Sequence, residues 1–207
     1  MLLAAAIVAA VALLWLSASL QAVFIEALQL SKDYLDRYPL GSRLAFVGLA
    51  AFSAMLVLFS SVALVPMAVN AWGQVETLLL LIGGWFIGAN LAYFIGRRFG
   101  RRATTYFVAE RTLDRYGDLL SVRMSVTEVA LLKLALPSEM PSFALGIIRY
   151  PFAKFVPVLL ASELPFALWA VYLSAALIED RRATFLLVLL AGFAAIAVVT
   201  RRLLSRR

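Results

Sequence analysis

The sequence predicts an all-α integral membrane protein, with about four full transmembrane helices and two opposed, proline-broken re-entrant hairpins. Hydrophobic residues make up 64% of the chain and mean hydropathy is +0.94, whereas soluble domains are about 45–50% apolar. Charged residues make up only 15% and cluster between long apolar segments. We therefore expect residues 1–207 to form a single polytopic membrane domain.

Four apolar segments reach the length of about 20 residues that a spanning helix needs. They are residues 2–25, 75–96, 155–177 and 183–200, of which the second and third each carry one glutamate. The first segment also resembles a signal peptide at "WLSASLQA". No basic residue precedes that segment and its apolar stretch is long, which favours a retained helix.

Two further apolar segments contain prolines that interrupt a simple span. Residues 43–73 are broken at Pro66, and residues 126–150 at Pro137 and Pro141. Proline removes an amide donor and disfavours helix at the residue before it. Carbonyls freed in this way are costly in lipid unless protein or a water-filled cavity covers them. Both segments are therefore predicted to be re-entrant hairpins.

The net charge of +7 is concentrated in arginine-rich segments that directly follow apolar ones, at residues 97–123 and 201–207. Such clusters mark cytoplasmic loops and attract anionic lipid headgroups, so no nucleic-acid partner is expected. Two full crossings, residues 155–177 and 183–200, lie between the clusters and return the chain to the same side of the membrane. Residues 126–150 must therefore enter and leave on the cytoplasmic side. With both termini cytoplasmic, residues 43–73 open outside. This outline resembles an inverted repeat, a transporter architecture with a site near the midplane.

Short polar stretches flank the hairpins. Residues 26–41 are predicted to form an interfacial helix that ends before Pro39, and residues 103–121 a basic amphipathic helix on the cytoplasmic leaflet. Ser125 and Glu128 have the spacing of a capping box at the start of the second hairpin.

The candidate substrate and proton-coupling residues are Glu139, Lys133, Glu163 and Arg149, because an ionisable residue inside the membrane indicates function by default. Lys133 is placed to pair with Glu139 or to bind a lipid phosphate, and the alternative is snorkelling to the interface. Glu163 should face the bundle interior, for function or for a structural hydrogen bond. Arg149 is a phosphate ligand or a topology anchor.

For several other residues, the sequence favours a structural role over a role in substrate binding. Pro66, Asn70, Pro137 and Pro141 are expected to shape the hairpins. Gly84 and Gly88 have the small-xxx-small spacing of closely packed helices. Headgroup contact and topology are the expected roles of four arginines: Arg97, Arg98, Arg101 and Arg102.

The chain has no cysteine and no histidine, which excludes disulfides and thiolate or imidazole metal sites. We find no nucleophile–base pair and no cluster of metal ligands. No catalytic residue, metal or cofactor is therefore predicted, and an enzyme is not expected.

Two stretches resemble the DedA/VTT family of SNARE-associated Golgi proteins. The first is "VPMAVNAWGQVETLLLLIGGWFIGANLAYFIGRRFGRR", residues 65–102, whose Gly-rich helix and exit resemble the family at Tyr93, Gly96, Arg97 and Gly100. The second is "LLKLALPSEMPSFALGIIRYPFAKFVPVLLASELP", residues 131–165, with Lys133, Pro137, Gly146 and Phe155 at matching positions. The family usually has Arg where Lys133 stands, and many members carry an acid in the first hairpin, where this chain has Asn70. The resemblance covers roughly residues 40–180, and the helix at 183–200 follows it.

The resemblance implies a transport protein with two opposed hairpins, and relatives are linked to lipid scrambling and to recycling of polyprenyl-phosphate carriers. The leading hypothesis is a flippase for an anionic lipid or lipid-linked phosphate, with membrane lipids and a proton as partners. The alternatives are an uncoupled phospholipid scramblase and a non-transporting membrane scaffold. The expected location is the bacterial inner membrane.

Overall fold

The computed structural model describes residues 37–55, 61–104, 124–135, 139–179, 181 and 183–192, with isolated positions 26, 29, 32 and 35. Within these ranges all regular structure is helical and there is no strand. Three predicted features lie wholly or mostly outside the described residues: the helix over 2–25, the amphipathic helix over 103–121 and the tail 201–207.

The first helix pair consists of α1, Pro39–Ser53, and the beginning of α2, Val65–Thr104, which a 3-10 turn over Ser61–Leu64 precedes. The two run antiparallel. Ser53 Oγ lies 2.9 Å from Ser61 Oγ at the closed tip, and the rings of Phe46 and Trp72 meet edge to face at 5.6 Å nearer the open end.

α1 begins at Pro39 and not at residue 43, since proline suits the first position of a helix. The predicted interruption of residues 43–73 is present, but it lies between Ser53 and Val65, before Pro66 and not at it. Helix resumes at Val65, and Pro66 occupies the first turn, where an amide has no helical partner in any case.

The break that follows lies at Gly73, inside α2. Gly73 has φ 80° and ψ 175°, and Gly100 has φ 67° and ψ −156°, a region that is essentially restricted to glycine. These residues divide α2 into the second limb of the first pair, residues 65–72, and a long unbroken segment, residues 74–99. The predicted span over 75–96 corresponds to this segment.

The second helix pair consists of α3, Val126–Ala135, and α4, Glu139–Ile147. The predicted capping box is confirmed: the Ser125 amide donates to Glu128 Oε2 at 2.8 Å, and the Glu128 amide donates to Ser125 Oγ at 3.3 Å. Pro141 lies in the first turn of α4, and Pro137 lies outside the described residues. The Tyr150 hydroxyl donates to the Met124 carbonyl at 3.4 Å, which joins the two ends of the pair.

The two helix pairs open at opposite ends of residues 74–99. Arg43, near the open end of the first pair, forms an ion pair with Glu76. Tyr93, near the other end of the segment, donates from its hydroxyl to the Tyr150 carbonyl at 2.5 Å. The order of these contacts along one helix gives the opposed arrangement.

Glycines allow α2 to approach both pairs closely. A Cβ at Gly84 or Gly88 would collide with α1 at Ala50 or Ala51, which confirms the packing interpretation of that spacing. A Cβ at Gly96 would collide with the carbonyl oxygen of Phe143 in α4, and one at Gly146 with that of Tyr93. The backbones of α2 and α4 therefore touch.

The helix α5, Phe152–Ile178, packs antiparallel to residues 74–99. Phe155 stacks on Tyr93 at 4.6 Å near its start, and Val171 shares a buried cluster with Leu81 nearer its end. A shorter helix, Ala183–Gly192, follows as α6. Two helices of the described residues are long and apolar enough to cross a membrane, Ser61–Gly100 and Phe152–Ile178.

Candidate functional site

Lys133 and Glu163 form a buried ion pair between α3 and α5. Lys133 is 1% exposed and Glu163 is 3% exposed, and Lys133 Nζ lies 3.6 Å from Glu163 Oε1. Both residues were predicted to be site residues, but their pairing was not. The structure therefore joins a cation and an acid that lie far apart in the sequence.

An aromatic ring also faces the Lys133 ammonium. Lys133 Nζ lies 5.7 Å from the centroid of the Phe155 ring, within the range of a cation–π interaction. Phe155 is itself held by stacking on Tyr93. The snorkelling interpretation of Lys133 is wrong, because its ammonium points into the protein and not to the interface.

The ion pair lies deep in the helical bundle. At about 1.5 Å rise per residue, Glu163 is roughly 16 Å along α5 from Phe152 and roughly 22 Å from Ile178. Pro165 lies inside the same helix and removes the amide that would bond the Ala161 carbonyl. A buried charge and a broken helical ladder thus occur within one turn of each other.

Glu139 is the first residue of α4, and its side chain lies outside the described part of the structure. Its predicted pairing with Lys133 stays a prediction. The structure pairs Lys133 with Glu163, which α5 brings back beside α3.

Two further polar side chains, one partly and one fully buried, lie on α2 and α4, the helices that touch through glycine. Asn90 donates from Nδ2 to the Phe86 carbonyl at 2.7 Å, while its Oδ1 has no hydrogen-bond partner among the described atoms. Ser142 is fully buried and its Oγ likewise lacks one. Neither residue was predicted from the sequence, although a polar residue within an apolar segment was the available signal.

Three of the predicted basic residues meet at one surface groove. Arg97, Arg98 and Arg149 line a cavity of about 640 Å³. Arg97 Nη1 donates to the Tyr93 hydroxyl at 2.8 Å, which ties it to the contact between Tyr93 and Tyr150. The side chains of Arg101 and Arg102 lie outside the described set.

The remaining predicted residues shape the first pair. Asn70 is half-buried in residues 65–72, one turn before the break at Gly73. Pro66 lies in the first turn of that limb. Among the described residues, no group of three or more His, Cys, Asp or Glu side chains is arranged to hold a metal ion.

In a comparison with known families, residues 51–176 match the VTT domain, and this match covers more than half of the chain. The chain belongs to the VTT domain family. The resemblance drawn from the sequence is therefore confirmed. No curated protein and no solved structure matches the chain.

The VTT domain match contains both members of the buried ion pair. It begins in α1, near the tip of the first helix pair, and ends at Ala176 in α5. Membership of this family and the two long apolar helices identify an integral membrane protein. Lys133 stands inside the VTT domain where the resemblance leads one to expect arginine.

Proposed function

We propose that this VTT-domain protein translocates an anionic lipid or lipid-linked phosphate carrier across a membrane and couples that movement to a proton. The observation that carries the proposal is the ion pair of Lys133 and Glu163, both nearly fully buried. Ionisable groups at such depth are costly and mark substrate or proton pathways.

The two helix pairs act, in this proposal, as re-entrant hairpins of a bacterial inner membrane with both termini in the cytoplasm. Their open ends lie at opposite ends of residues 74–99, near Glu76 and Tyr93. Transporters of inverted-repeat design place the substrate site where two such halves meet. The depth of Glu163 within α5 matches a site of that kind.

The chemistry follows from charge balance at the buried pair. A lipid phosphate that reaches Lys133 competes with the Glu163 carboxylate for the ammonium, which binds phosphate as a point charge. The displaced carboxylate would be a buried charge without its cation, a strongly unfavourable state. Uptake of one proton by Glu163 removes that charge, so phosphate binding and protonation occur together.

The experiment is headgroup translocation in proteoliposomes, with a fluorescent phosphate lipid and with or without an imposed pH gradient. We expect a gradient to change the rate for the wild type and to have no effect on Glu163→Gln. Glu179→Gln is the matched control, because Glu179 is exposed and pairs with Arg181 at 2.7 Å. That control should behave as the wild type.

Each of the opposite results argues against the proposal in a distinct way. Translocation at equal rates with and without the gradient would indicate an uncoupled scramblase. The absence of translocation for every phosphate lipid tested would indicate a scaffold. Loss of the gradient effect in Glu139→Gln alone, with Glu163→Gln unaffected, would move the proton site to Glu139.

A further inference from the structure

The groove at Arg97, Arg98 and Arg149 combines a basic rim with an apolar wall. Its remaining lining residues are all hydrophobic: Leu91, Phe94, Ile95 and Phe99. Leu91, Phe94 and Phe99 are each roughly half or more exposed, at 48%, 49% and 64%. Cationic and apolar groups therefore border the same open space near the end of residues 74–99.

Arg149 occupies a backbone position that ordinarily belongs to glycine. Its φ is 56°, and the Tyr150 amide donates to the Leu145 carbonyl while the Arg149 amide donates to the Gly146 carbonyl, both at 2.9 Å. These bonds form the Schellman motif that ends α4, in which the left-handed residue is usually glycine. The chain therefore has a large cation at a position where glycine would be better for local stability.

The arginines of the groove lack acidic partners in the part of the chain that the structure describes. None of the three forms an ion pair with a described carboxylate. Arg97 is held by the Tyr93 hydroxyl, and the Arg98 guanidinium lies 6.0 Å from the Phe99 ring centroid. Their positive charge is available to an anion that enters the groove.

We propose that this groove is a binding site for the phosphate group of a membrane lipid, with the lipid chain lying against Leu91, Phe94 and Phe99. Arginine forms bidentate hydrogen bonds to phosphate. The apolar wall continues onto a helix long enough to cross the membrane, as an acyl chain requires. The site goes beyond the proposed transport function, because it binds lipid at the surface whether or not lipid crosses at Lys133.

The test uses the full chain in a neutral detergent and measures the affinity of a short-chain phosphatidic acid. Arg149→Gly removes the guanidinium and supplies the residue that the φ of 56° favours, so the fold is retained. We expect the Kd to rise roughly tenfold, the loss of one charged contact. Lys154→Gln is the matched control, since Lys154 is a nearby exposed cation that does not line the groove, and its Kd should stay unchanged.

Thermal stability and competition by phosphate distinguish a lipid site from a purely structural role of Arg149. Arg149→Gly should melt at the same or a higher temperature than the wild type, and a lower melting temperature would make Arg149 a structural anchor and overturn the proposal. Equal affinity in wild type and Arg149→Gly would also overturn it. Inorganic phosphate that competes as well as the lipid would refute the role of the apolar wall. Binding in detergent is independent of translocation, so failure here leaves the transport test unaffected.

Discussion

Among single residues, Lys133 and Glu163 carry the greatest energetic cost, because both charged side chains are removed from solvent. Burial of either charge without the other would cost a large amount of free energy. The pairing offsets that cost, and the Phe155 ring stabilises the ammonium of Lys133 further. The sequence identified each residue as costly at its depth. It could not identify the pairing, because that depends on how α3 packs against α5. The nearer acid, Glu139, was the natural candidate on sequence distance alone.

Removal of one member of the pair should destabilise the protein more than removal of both. Lys133→Met leaves Glu163 without its buried cation and should cost about 3–5 kcal/mol. The double variant Lys133→Met/Glu163→Met replaces both charges with apolar groups of similar length and should recover most of that loss. Thermal unfolding in detergent, followed by circular dichroism, measures both. Additive losses in the double variant would contradict a direct pair.

Among the individual helices, the features that the sequence predicted correctly are those that depend on neighbouring residues alone. The capping box at Ser125 was predictable because its chemistry lies within four consecutive residues. Pro66 was misassigned because proline both ends helices and begins them, and its position relative to the turn decides which. The close approach of Gly96 to Gly146 depends on tertiary packing, so spacing along one helix did not predict it.

A methyl group at the crossing of α2 and α4 should be poorly tolerated. Gly96→Ala places a Cβ against the Phe143 carbonyl oxygen, and overpacking of this kind costs about 1–3 kcal/mol. Gly83→Ala is the control on the same helix, where nothing lies within 4 Å. It should be neutral or stabilising by up to about 1 kcal/mol, since alanine is the better helix former. Equal melting temperatures of the two variants would argue against the backbone contact.

In the molecule as a whole, the two helix pairs are arranged around the helical segment of residues 74–99. Charge counting predicted opposed openings, because arginine clusters are expected on the cytoplasmic side and an expected side fixes whether the number of crossings is odd or even. The contacts that define each open end, Arg43 with Glu76 and Tyr93 with Tyr150, involve residues far apart in the sequence. No pattern in the sequence predicts these two contacts, because each depends on how the helices pack in three dimensions.

Sidedness can be tested cleanly because the chain has no cysteine. If α5 crosses the membrane, Lys154→Cys and Glu179→Cys should lie on opposite sides. In intact bacterial cells, a membrane-impermeant maleimide should label the cysteine at 179. Labelling at 154 should require permeabilised cells. Labelling of both from one side would rule out a crossing by α5.

The most direct test of the central claim is proton movement during lipid transport. Proteoliposomes that hold a pH-sensitive dye, at equal pH on both sides, receive a short-chain phosphate lipid on the outer face. The account predicts an internal pH change in step with headgroup movement for the wild type and Glu179→Gln, and none for Glu163→Gln. Headgroup movement without any pH change in the wild type would contradict it.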